Sequence, residues 1–266
     1  MSFMYQKMLG LAFSNPAEFA ARIRAIYEVQ IERIFVPAPA YDINQPETVL
    51  SGLTRAYRDI VGSTDAGSAP EETSISDHDR DLPDSPSISL RHDADPSLTS
   101  FLYAVTKMCR PDVVLETGVA HGTSSAAILS ALHENGHGVL HSIDLPPFRD
   151  GAEQEVGIYI PKSLKDRWHL HRGTSRQIMP QLLPELPPIG LFIHDSLHTQ
   201  RNIRWELDTI TPCLTDRAVI VADDIQDNSA FSSWVETTKP YFHAVAQETG
   251  KDSLFGAALL CNGPPS

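Results

Sequence analysis

Cysteine is scarce in this chain of 266 residues: Cys109, Cys213 and Cys261 are the only three, and no Cys-x-x-Cys pair occurs. This scarcity excludes a disulfide scaffold and a cysteine-ligated zinc site, and it predicts a protein of the reducing cytoplasm. Long apolar runs are also missing, so we expect no transmembrane helix. The apolar stretch within the first 13 residues is too short for a signal peptide, and we expect none.

Positive charge is the other shortage. The chain has 21 Lys and Arg residues against 34 Asp and Glu residues, which gives a net charge of -13. Nine of the acids, with only two arginines, lie in residues 62–97. No part of the chain offers the basic stripe that a phosphate backbone requires, so we do not expect nucleic acid as a partner. The hydrophobic content of 41% is typical of a globular protein.

The sequence divides into three regions. Residues 1–61 show two helical patterns, one of which starts with Asn15 as a cap and Pro16 in the first turn. We expect this region to be a helical appendage that packs on the main domain or on another subunit; a lid over a substrate is the alternative. Residues 62–95 are rich in Ser, Pro and acids, which predicts a flexible linker or lid. Residues 96–266 form the main domain.

Strands and helices alternate through the main domain. Five segments are predicted strands: DVVLETG, GVLHSIDL, HLHRG, IGLFIHD and DRAVIVADDI. Such alternation predicts a doubly wound α/β domain whose parallel sheet is covered on both faces. The last two runs, YFHAVAQETG and DSLFGAALLC, are joined by a short turn and predict a hairpin, so one strand must run antiparallel. The prediction is therefore a mostly parallel seven-stranded sheet with a C-terminal antiparallel hairpin.

A glycine-rich turn follows the first of these strands. It reads Glu-Thr-Gly-Val-Ala-His-Gly-Thr-Ser, which differs from the Gly-x-Gly-x-x-Gly turn of nicotinamide dehydrogenases. The turn resembles the Glu-x-Gly-x-x-x-Gly-x-Ser motif of class I S-adenosylmethionine (SAM)-dependent methyltransferases. That resemblance implies a Rossmann-like fold and five cofactor-binding residues: Glu116, Gly118, Gly122, Thr123 and Ser124. An acid suits the cationic sulfonium of SAM, and glycines allow the backbone to approach it closely.

Two further segments suit the same cofactor. Asp144 ends the second strand, 28 residues after Glu116, where a carboxylate can accept hydrogen bonds from two ribose hydroxyls. The alternative is that it is a turn residue. The third strand is followed by Gly173, Thr174 and Ser175, at the position where methyltransferases contact adenine. A simple helix cap explains these three residues nearly as well.

Acidic residues and a histidine follow the fourth and fifth strands. Asp195 closes the fourth strand, His198 lies three residues later, and Asp223 and Asp224 close the fifth strand. Since parallel strands deliver their carboxyl ends to one crevice, we expect these side chains to converge. Three converging carboxylates repel one another unless a cation neutralises them, which indicates a hard divalent ion such as Mg²⁺. The alternative is that they are turn and helix-cap residues.

The spacing of these four residues resembles the metal-dependent O-methyltransferases that act on macrolide antibiotic sugars, with the related macrocin and cephamycin enzymes. The resemblance implies that Asp195, Asp223 and Asp224 bind the metal. It also implies that Asp195 contacts the cofactor and takes part in catalysis, and that His198 is the general base. The macrolide enzymes tend to have Glu-Asp where this chain has Asp223-Asp224.

The resulting functional hypothesis is a cytoplasmic SAM-dependent O-methyltransferase. Its acceptor would be a hydroxyl of a small molecule, a secondary metabolite or its sugar. We expect a homo-oligomer formed through the N-terminal region, and neither nucleic acid nor membrane as a partner. Two alternatives stay open: an N-methyltransferase, and a biosynthetic protein that retains SAM without methylating. A nicotinamide-dependent reductase is disfavoured by the glycine spacing and the terminal hairpin.

Overall fold

The centre of the fold is an eight-stranded sheet. The structure, a computed structural model, describes residues 2–61 and 86–261, so most of the predicted linker lies outside the described residues. The strands are β1 Ile43–Asn44, β2 Val113–Thr117, β3 Val139–Asp144, β4 Trp168–Arg172, β5 Ile189–His194, β6 Leu214–Ala222, β7 Phe242–Gln247 and β8 Leu254–Leu259. Their order across the sheet is β1-β7-β8-β6-β5-β2-β3-β4.

Seven of these strands confirm the predicted topology. Strands β2 to β6 pair in parallel with one another, while β8 is antiparallel to both β6 and β7. The prediction omits the eighth strand, β1, which pairs in parallel with β7 through Ile43 and Val245. Two residues are too few to show the alternation that reveals a strand in a sequence.

Helices flank the sheet. They are α1 Ser2–Ser14, α2 Pro16–Phe35, α3 Pro46–Val61, α4 Pro96–Cys109, α5 Thr123–Asn135, α6 Ala152–Glu155, α7 Ser175–Leu182, α8 Gln200–Ile210 and α9 Ala230–Thr238. The Asn15 side chain accepts a hydrogen bond from the backbone N–H of Glu18, and Pro16 occupies the first turn of α2, which confirms the predicted cap. Among the described residues, no helix has the length and apolar character needed to cross a bilayer.

Apolar side chains cover the sheet on both faces. Every residue of β2 is buried, and Val114 and Leu115 pack into different clusters because successive side chains of a strand point to opposite faces. One cluster joins the sheet to α3, α4 and α5, and the other joins it to α7, α8 and α9. The continuous apolar run at residues 218–222 follows from this double coverage.

Helix α2 lies across the carboxyl end of the sheet. Its Glu18 side chain pairs with Arg172 at the end of β4, at 2.8 Å. Its Glu32 side chain accepts hydrogen bonds from the backbone N–H groups of Gln200 and Arg201, at the positive end of α8. These contacts place α2 over the strand ends, where it forms one wall of a cavity.

Candidate active site

A cavity of about 980 Å³ lies at the carboxyl ends of β2 to β6. Each of these strands is followed by, or ends in, a residue of its wall: Gly118 after β2, Asp144 in β3, Gly173 after β4, Asp195 after β5 and Asp223 after β6. The opposite wall consists of α2 and of residues in the segment 88–92. The convergence that a parallel sheet predicts is therefore present.

Gly118 allows two strands to approach each other closely at the cavity. Its φ of +85° lies in the left-handed region, and a Cβ there would lie 1.9 Å from the backbone oxygen of Asp195. Its N–H donates a hydrogen bond of 2.9 Å to the backbone oxygen of Ile143. Glycine is required at this position both for the backbone conformation and for the close contact.

Glu116 lies behind the cavity wall. Its side chain is fully buried, and its carboxylate accepts hydrogen bonds from Ser124 and Ser125 at 2.6 Å and from Ser142 at 2.8 Å. Burial raises the pKa of this carboxyl, and the three hydroxyls oppose that shift. Glu116 therefore ties the start of α5 to β2 and β3, whereas the sequence pattern predicts it on the wall itself.

The rest of the glycine turn departs from the expected placement in the same way. Gly122, Thr123 and Ser124 do not line the cavity; Gly122 has a φ of +90° and precedes the first turn of α5. Val119 and Ala120 line the cavity in their place. Sequence reasoning misses these two residues because Val and Ala side chains carry no functional group that would mark a ligand site.

Asp144 supports the turn after β2 from the neighbouring strand. Its Oδ2 atom accepts hydrogen bonds from the backbone N–H groups of Val119 at 2.7 Å and Ala120 at 3.1 Å. Burial raises the pKa of this carboxyl, while the two N–H groups lower it. Asp144 also lines the cavity, so it can contact a ligand there.

The residues after β4 combine a helix cap with a place on the cavity wall. Gly173, Thr174 and Ser175 all line the cavity. Thr174 and Gln177 form a capping box at the start of α7. The two interpretations of this segment, helix cap and ligand contact, are therefore compatible.

Asp195, His198 and Asp224 form a group of potential metal ligands at the cavity. Their donor atoms all lie within 4.8 Å of one another. The Nε2 atom of His198 is 3.8 Å from Asp195 Oδ1 and 3.4 Å from Asp224 Oδ2. Asp224 adopts a φ of +54°, a conformation that is uncommon outside glycine and that clusters at functional sites.

Asp223 lines the same cavity but lies outside this group of donor atoms. Its side chain is buried, and its Oδ1 atom has no hydrogen-bond partner, which is rare in a folded protein. Of the three predicted metal ligands, the structure thus brings Asp195 and Asp224 together with His198. The third, Asp223, lies outside this group and has an unpaired Oδ1 atom.

Burial and nearby negative charges raise the pKa values of Asp195 and Asp223. Burial, followed by the charges of Asp223 and Asp224, raises the pKa of Asp195 well above its usual range. Burial and then the charge of Glu248 do the same for Asp223, and Lys251 opposes both shifts. A divalent cation would remove this repulsion, and carboxylate oxygens are the donors that Mg²⁺ and Ca²⁺ prefer. The donor set therefore fits a hard cation.

His198 has a neutral imidazole near pH 7. Burial lowers its pKa to about 4, and the negative charge of Asp224 opposes that shift. Its position before α8 is fixed by Asn228, whose side-chain amide donates a hydrogen bond of 3.2 Å to the backbone oxygen of His198. A neutral imidazole at this place can accept a proton from a ligand in the cavity.

A buried carboxylate supports the strand ends from behind the cavity. Glu206 of α8 accepts hydrogen bonds at 2.7 Å from His194 Nδ1, Thr117 Oγ1 and Ser196 Oγ. Burial would raise the pKa of Glu206, but the charge and the hydrogen bond of His194, together with serine hydroxyls, lower it to about 2. Sequence reasoning misses Glu206, because a single acid on an amphipathic helix carries no signal of its own.

The end of the predicted linker closes one side of the cavity. The Glu155 carboxylate accepts hydrogen bonds from the backbone N–H groups of Ser87 and Ile88, at 2.9 and 2.8 Å. Asp93 pairs with His121 of the glycine turn at 2.8 Å. Since Ile88 lines the cavity, this part of the predicted linker or lid forms a piece of its wall.

Residues 115–225 match a protein family described as a methyltransferase domain. The matched range contains the glycine turn, Asp144, the segment after β4 and the acidic residues after β5 and β6. No curated protein matches the chain.

Several solved structures share the fold. An O-methyltransferase of Bacillus cereus in complex with SAH is 14% identical, with a TM-score of 0.51 over 88% of this chain and 97% of that one. TomG of Streptomyces achromogenes, an O-methyltransferase involved in tomaymycin synthesis and solved with SAM, is 15% identical, with a TM-score of 0.53 over 88% and 96%. Cofactor-bound Rv0187 from MTB is 16% identical, with a TM-score of 0.51 over 82% and 90%. The chain therefore shares the fold of these methyltransferases, and its residues 115–225 match a methyltransferase domain.

Proposed function

We propose that this chain transfers a methyl group from SAM to a hydroxyl group of a small molecule, a secondary metabolite or its sugar. The observation that carries the proposal is the position of Asp195, His198 and Asp224 on the wall of the same cavity as Gly118 and Asp144. A base and two carboxylates thus lie in the cavity whose other residues suit SAM. The O-methyltransferase names of the Bacillus and Streptomyces proteins support oxygen as the acceptor atom.

Different residues along the strand ends would contact different parts of SAM. Asp144 would accept hydrogen bonds from the ribose hydroxyls, and the segment from Gly173 to Ser175 would contact the adenine. Gly118, which has no side chain, allows the backbone to approach the methionine part of the cofactor. Glu116 would contribute indirectly, through the serines that hold α5 against the sheet.

Asp195, Asp223 and Asp224 would hold a divalent cation such as Mg²⁺. The unpaired Oδ1 of Asp223 and the raised pKa of Asp195 both support a cation at this place. Such an ion would polarise an acceptor hydroxyl and lower its pKa.

His198 would remove the proton from the acceptor oxygen as that oxygen attacks the methyl group. Its imidazole is neutral near pH 7 and lies within 4 Å of both Asp195 and Asp224. Helix α2 and the segment 88–92 would enclose the acceptor and hold it in contact with the methyl group, and such positioning supplies much of the rate of a two-substrate reaction.

Gly118→Ala should destabilise the protein and abolish SAM binding, because the added methyl group would push the ends of β2 and β5 apart. Gly136→Ala is the matched control, since Gly136 also has a positive φ, +79°, but no atom lies within 4 Å of its Cβ position. The control should lose only the roughly 1–2 kcal/mol that a left-handed residue costs. Denaturant unfolding and calorimetric titration with SAM measure the two effects, and equal losses in both variants would contradict the role given to Gly118.

Asp144→Ala should weaken SAM binding about 10- to 100-fold, the usual loss when hydrogen bonds to a charged group are removed. Asp112→Ala serves as the control, because Asp112 lies at the amino end of β2 and its side chain is 87% exposed. Calorimetric titration measures the affinity of each variant. An affinity equal to that of the control would remove Asp144 from the cofactor site.

The function is tested by the release of SAH from SAM, measured by chromatography with Mg²⁺ and a panel of hydroxylated small molecules that includes free and glycosidic sugars. We expect turnover that requires the acceptor hydroxyl, stops when EDTA is added and returns with excess Mg²⁺. The methoxy analogue of each acceptor is the matched control. Turnover confined to amines would show N-methylation. Turnover that continues unchanged after EDTA is added would contradict a role for the metal. SAM binding without turnover of any acceptor would contradict the proposed enzyme activity.

The N-terminal helices carry an exposed apolar surface, which supports a homo-oligomer. The side chains on it include Phe13, Ile26, Tyr27, Ile34 and Phe35. A concentration of exposed large apolar side chains on two helices favours an interface between proteins. We therefore retain the expectation of a cytoplasmic homo-oligomer joined through this region, which light scattering of the purified protein would measure.

A further inference from the structure

Three histidines lie together on one face of the sheet, at its β4 edge. His141 of β3 is directly opposite His169 of β4, and His171 is two residues further along β4. Because side chains alternate along a strand, His169 and His171 point to the same face, on the side of His141. None of the three lines the cavity, so they are separate from the site described above.

The three imidazoles are in contact with one another. The Nδ1 atom of His141 is 3.0 Å from the Nε2 atom of His171, and one of these nitrogens must carry the shared proton. The ring of His141 also stacks on the ring of His169, with centroids 4.7 Å apart, and on that of His171, at 5.3 Å. Two imidazole nitrogens at this distance, with a third imidazole beside them, resemble the side-chain ligands of a metal ion bound by histidines.

We propose that His141, His169 and His171 bind a transition-metal ion of the Zn²⁺, Ni²⁺ or Cu²⁺ class, at a second site that is chemically distinct from the carboxylates of the cavity. Two nitrogens bound to one such ion at about 2.0–2.1 Å lie about 2.9 Å apart at a right angle and about 3.4 Å apart in a tetrahedron. The separation of 3.0 Å falls within that range, and the two rings turn from their hydrogen-bonded orientation so that both lone pairs point to the ion, which lies off the line between the nitrogens.

His169 supplies the third ligand by turning about its own side-chain bonds. It is exposed and lies on the edge strand of the sheet, and its rotation exchanges the stacking on His141 for a bond to the ion. Imidazole nitrogen suits Zn²⁺, Ni²⁺ and Cu²⁺, whereas Mg²⁺ requires oxygen ligands. The histidine site therefore excludes Mg²⁺, whereas the cavity, whose potential ligands include His198, accepts both classes of ion.

Electron paramagnetic resonance of Cu²⁺ added to the tag-free protein tests this inference. The measurement uses a background with His92→Asn and His198→Asn, which removes the two imidazoles that line the cavity and leaves its carboxylates in place. We expect one equivalent of Cu²⁺ with hyperfine splitting from two or three nitrogens, and displacement of that copper by Zn²⁺ but not by Mg²⁺. The double substitution His141→Gln and His171→Gln should weaken this binding at least about tenfold.

The control is His243→Gln, which removes an exposed histidine of β7, far from β4 in the strand order, and should leave the copper signal unchanged. SAM affinity, measured on each variant, shows whether it has folded. If the double variant does not fold, the exposed His169→Gln decides, since it should lower the number of coupled nitrogens. A copper signal that keeps its full nitrogen coupling after the histidines of β3 and β4 are replaced would overturn the inference. A copper signal from oxygen ligands alone, before these histidines are replaced, would also overturn it.

Discussion

His198→Ala should lower kcat by about 10²- to 10⁴-fold, the usual contribution of a positioned general base. The reason is that Nε2 of His198 lies 3.8 Å from Asp195 and 3.4 Å from Asp224, beside the carboxylates that would position the acceptor. SAM affinity should change little, since the residues proposed to contact ribose and adenine are untouched. Steady-state turnover to SAH and calorimetric titration with SAM measure the two quantities.

The matched control for this prediction is His133→Ala, which removes an exposed histidine of α5. Its kcat should equal that of the unmodified chain. If His198→Ala retained full turnover, His198 would have no part in the chemistry. If it lost SAM affinity and kcat in proportion, the residue would hold the site together instead of moving a proton.

Glu206→Ala should lower the free energy of unfolding by about 3–5 kcal/mol, the usual cost of removing one partner from a buried charged network. The substitution leaves His194 Nδ1, Thr117 Oγ1 and the Ser196 hydroxyl without their common acceptor, in a region that excludes water. These donors lie at the ends of β2 and β5, so the SAM site should also lose order. Denaturant unfolding measures the effect.

Asp208→Ala is the control on the same helix. Asp208 pairs with Arg204 on the exposed face of α8, and such pairs contribute about 0.3–0.5 kcal/mol. A loss for Glu206→Ala as small as that of the control would contradict the supporting role of Glu206.

Acid should reduce the difference between Glu206→Ala and the unmodified chain. The pKa of Glu206 is lowered to about 2 in the folded protein and is about 4.3 in an unfolded chain. Its ionised form therefore stabilises the fold fully above about pH 5, and this contribution is lost as the pH falls through 4.3 toward 2. A difference in unfolding free energy that stays constant from pH 6 to pH 3 would show that the charge is not the source of the stabilisation.

The sheet topology could be predicted because β2, β5 and β6 contain continuous apolar runs and β7 and β8 form a hairpin with an obvious turn, while the alternation of strands and helices indicates β3 and β4. Burial on both faces makes the run at residues 218–222 apolar throughout, and no helix pattern competes with it. Strand β1 could not be predicted because two residues show no periodicity. Its partner, β7, also lies far away in the sequence, since Ile43 pairs with Val245.

The site could be predicted where topology alone decides position. Asp144, Asp195 and Asp224 end or follow parallel strands, so their convergence follows from the order of the sheet. Glu116 also ends a strand, but hydroxyls contributed by α5 and by β3 surround its carboxylate, and a linear sequence does not show which neighbours will do so.

The central claim places a cofactor site and a cation site in one cavity. Calorimetric titration of the purified chain with SAM, in the presence and absence of Mg²⁺, and with Mg²⁺ itself tests this claim most directly. We predict one equivalent of bound SAM in the unmodified chain, together with Mg²⁺ binding that disappears in Asp195→Asn and persists in Asp216→Asn, where the acid is exposed on β6. Absence of SAM binding, or Mg²⁺ binding that is the same in both variants, would contradict it.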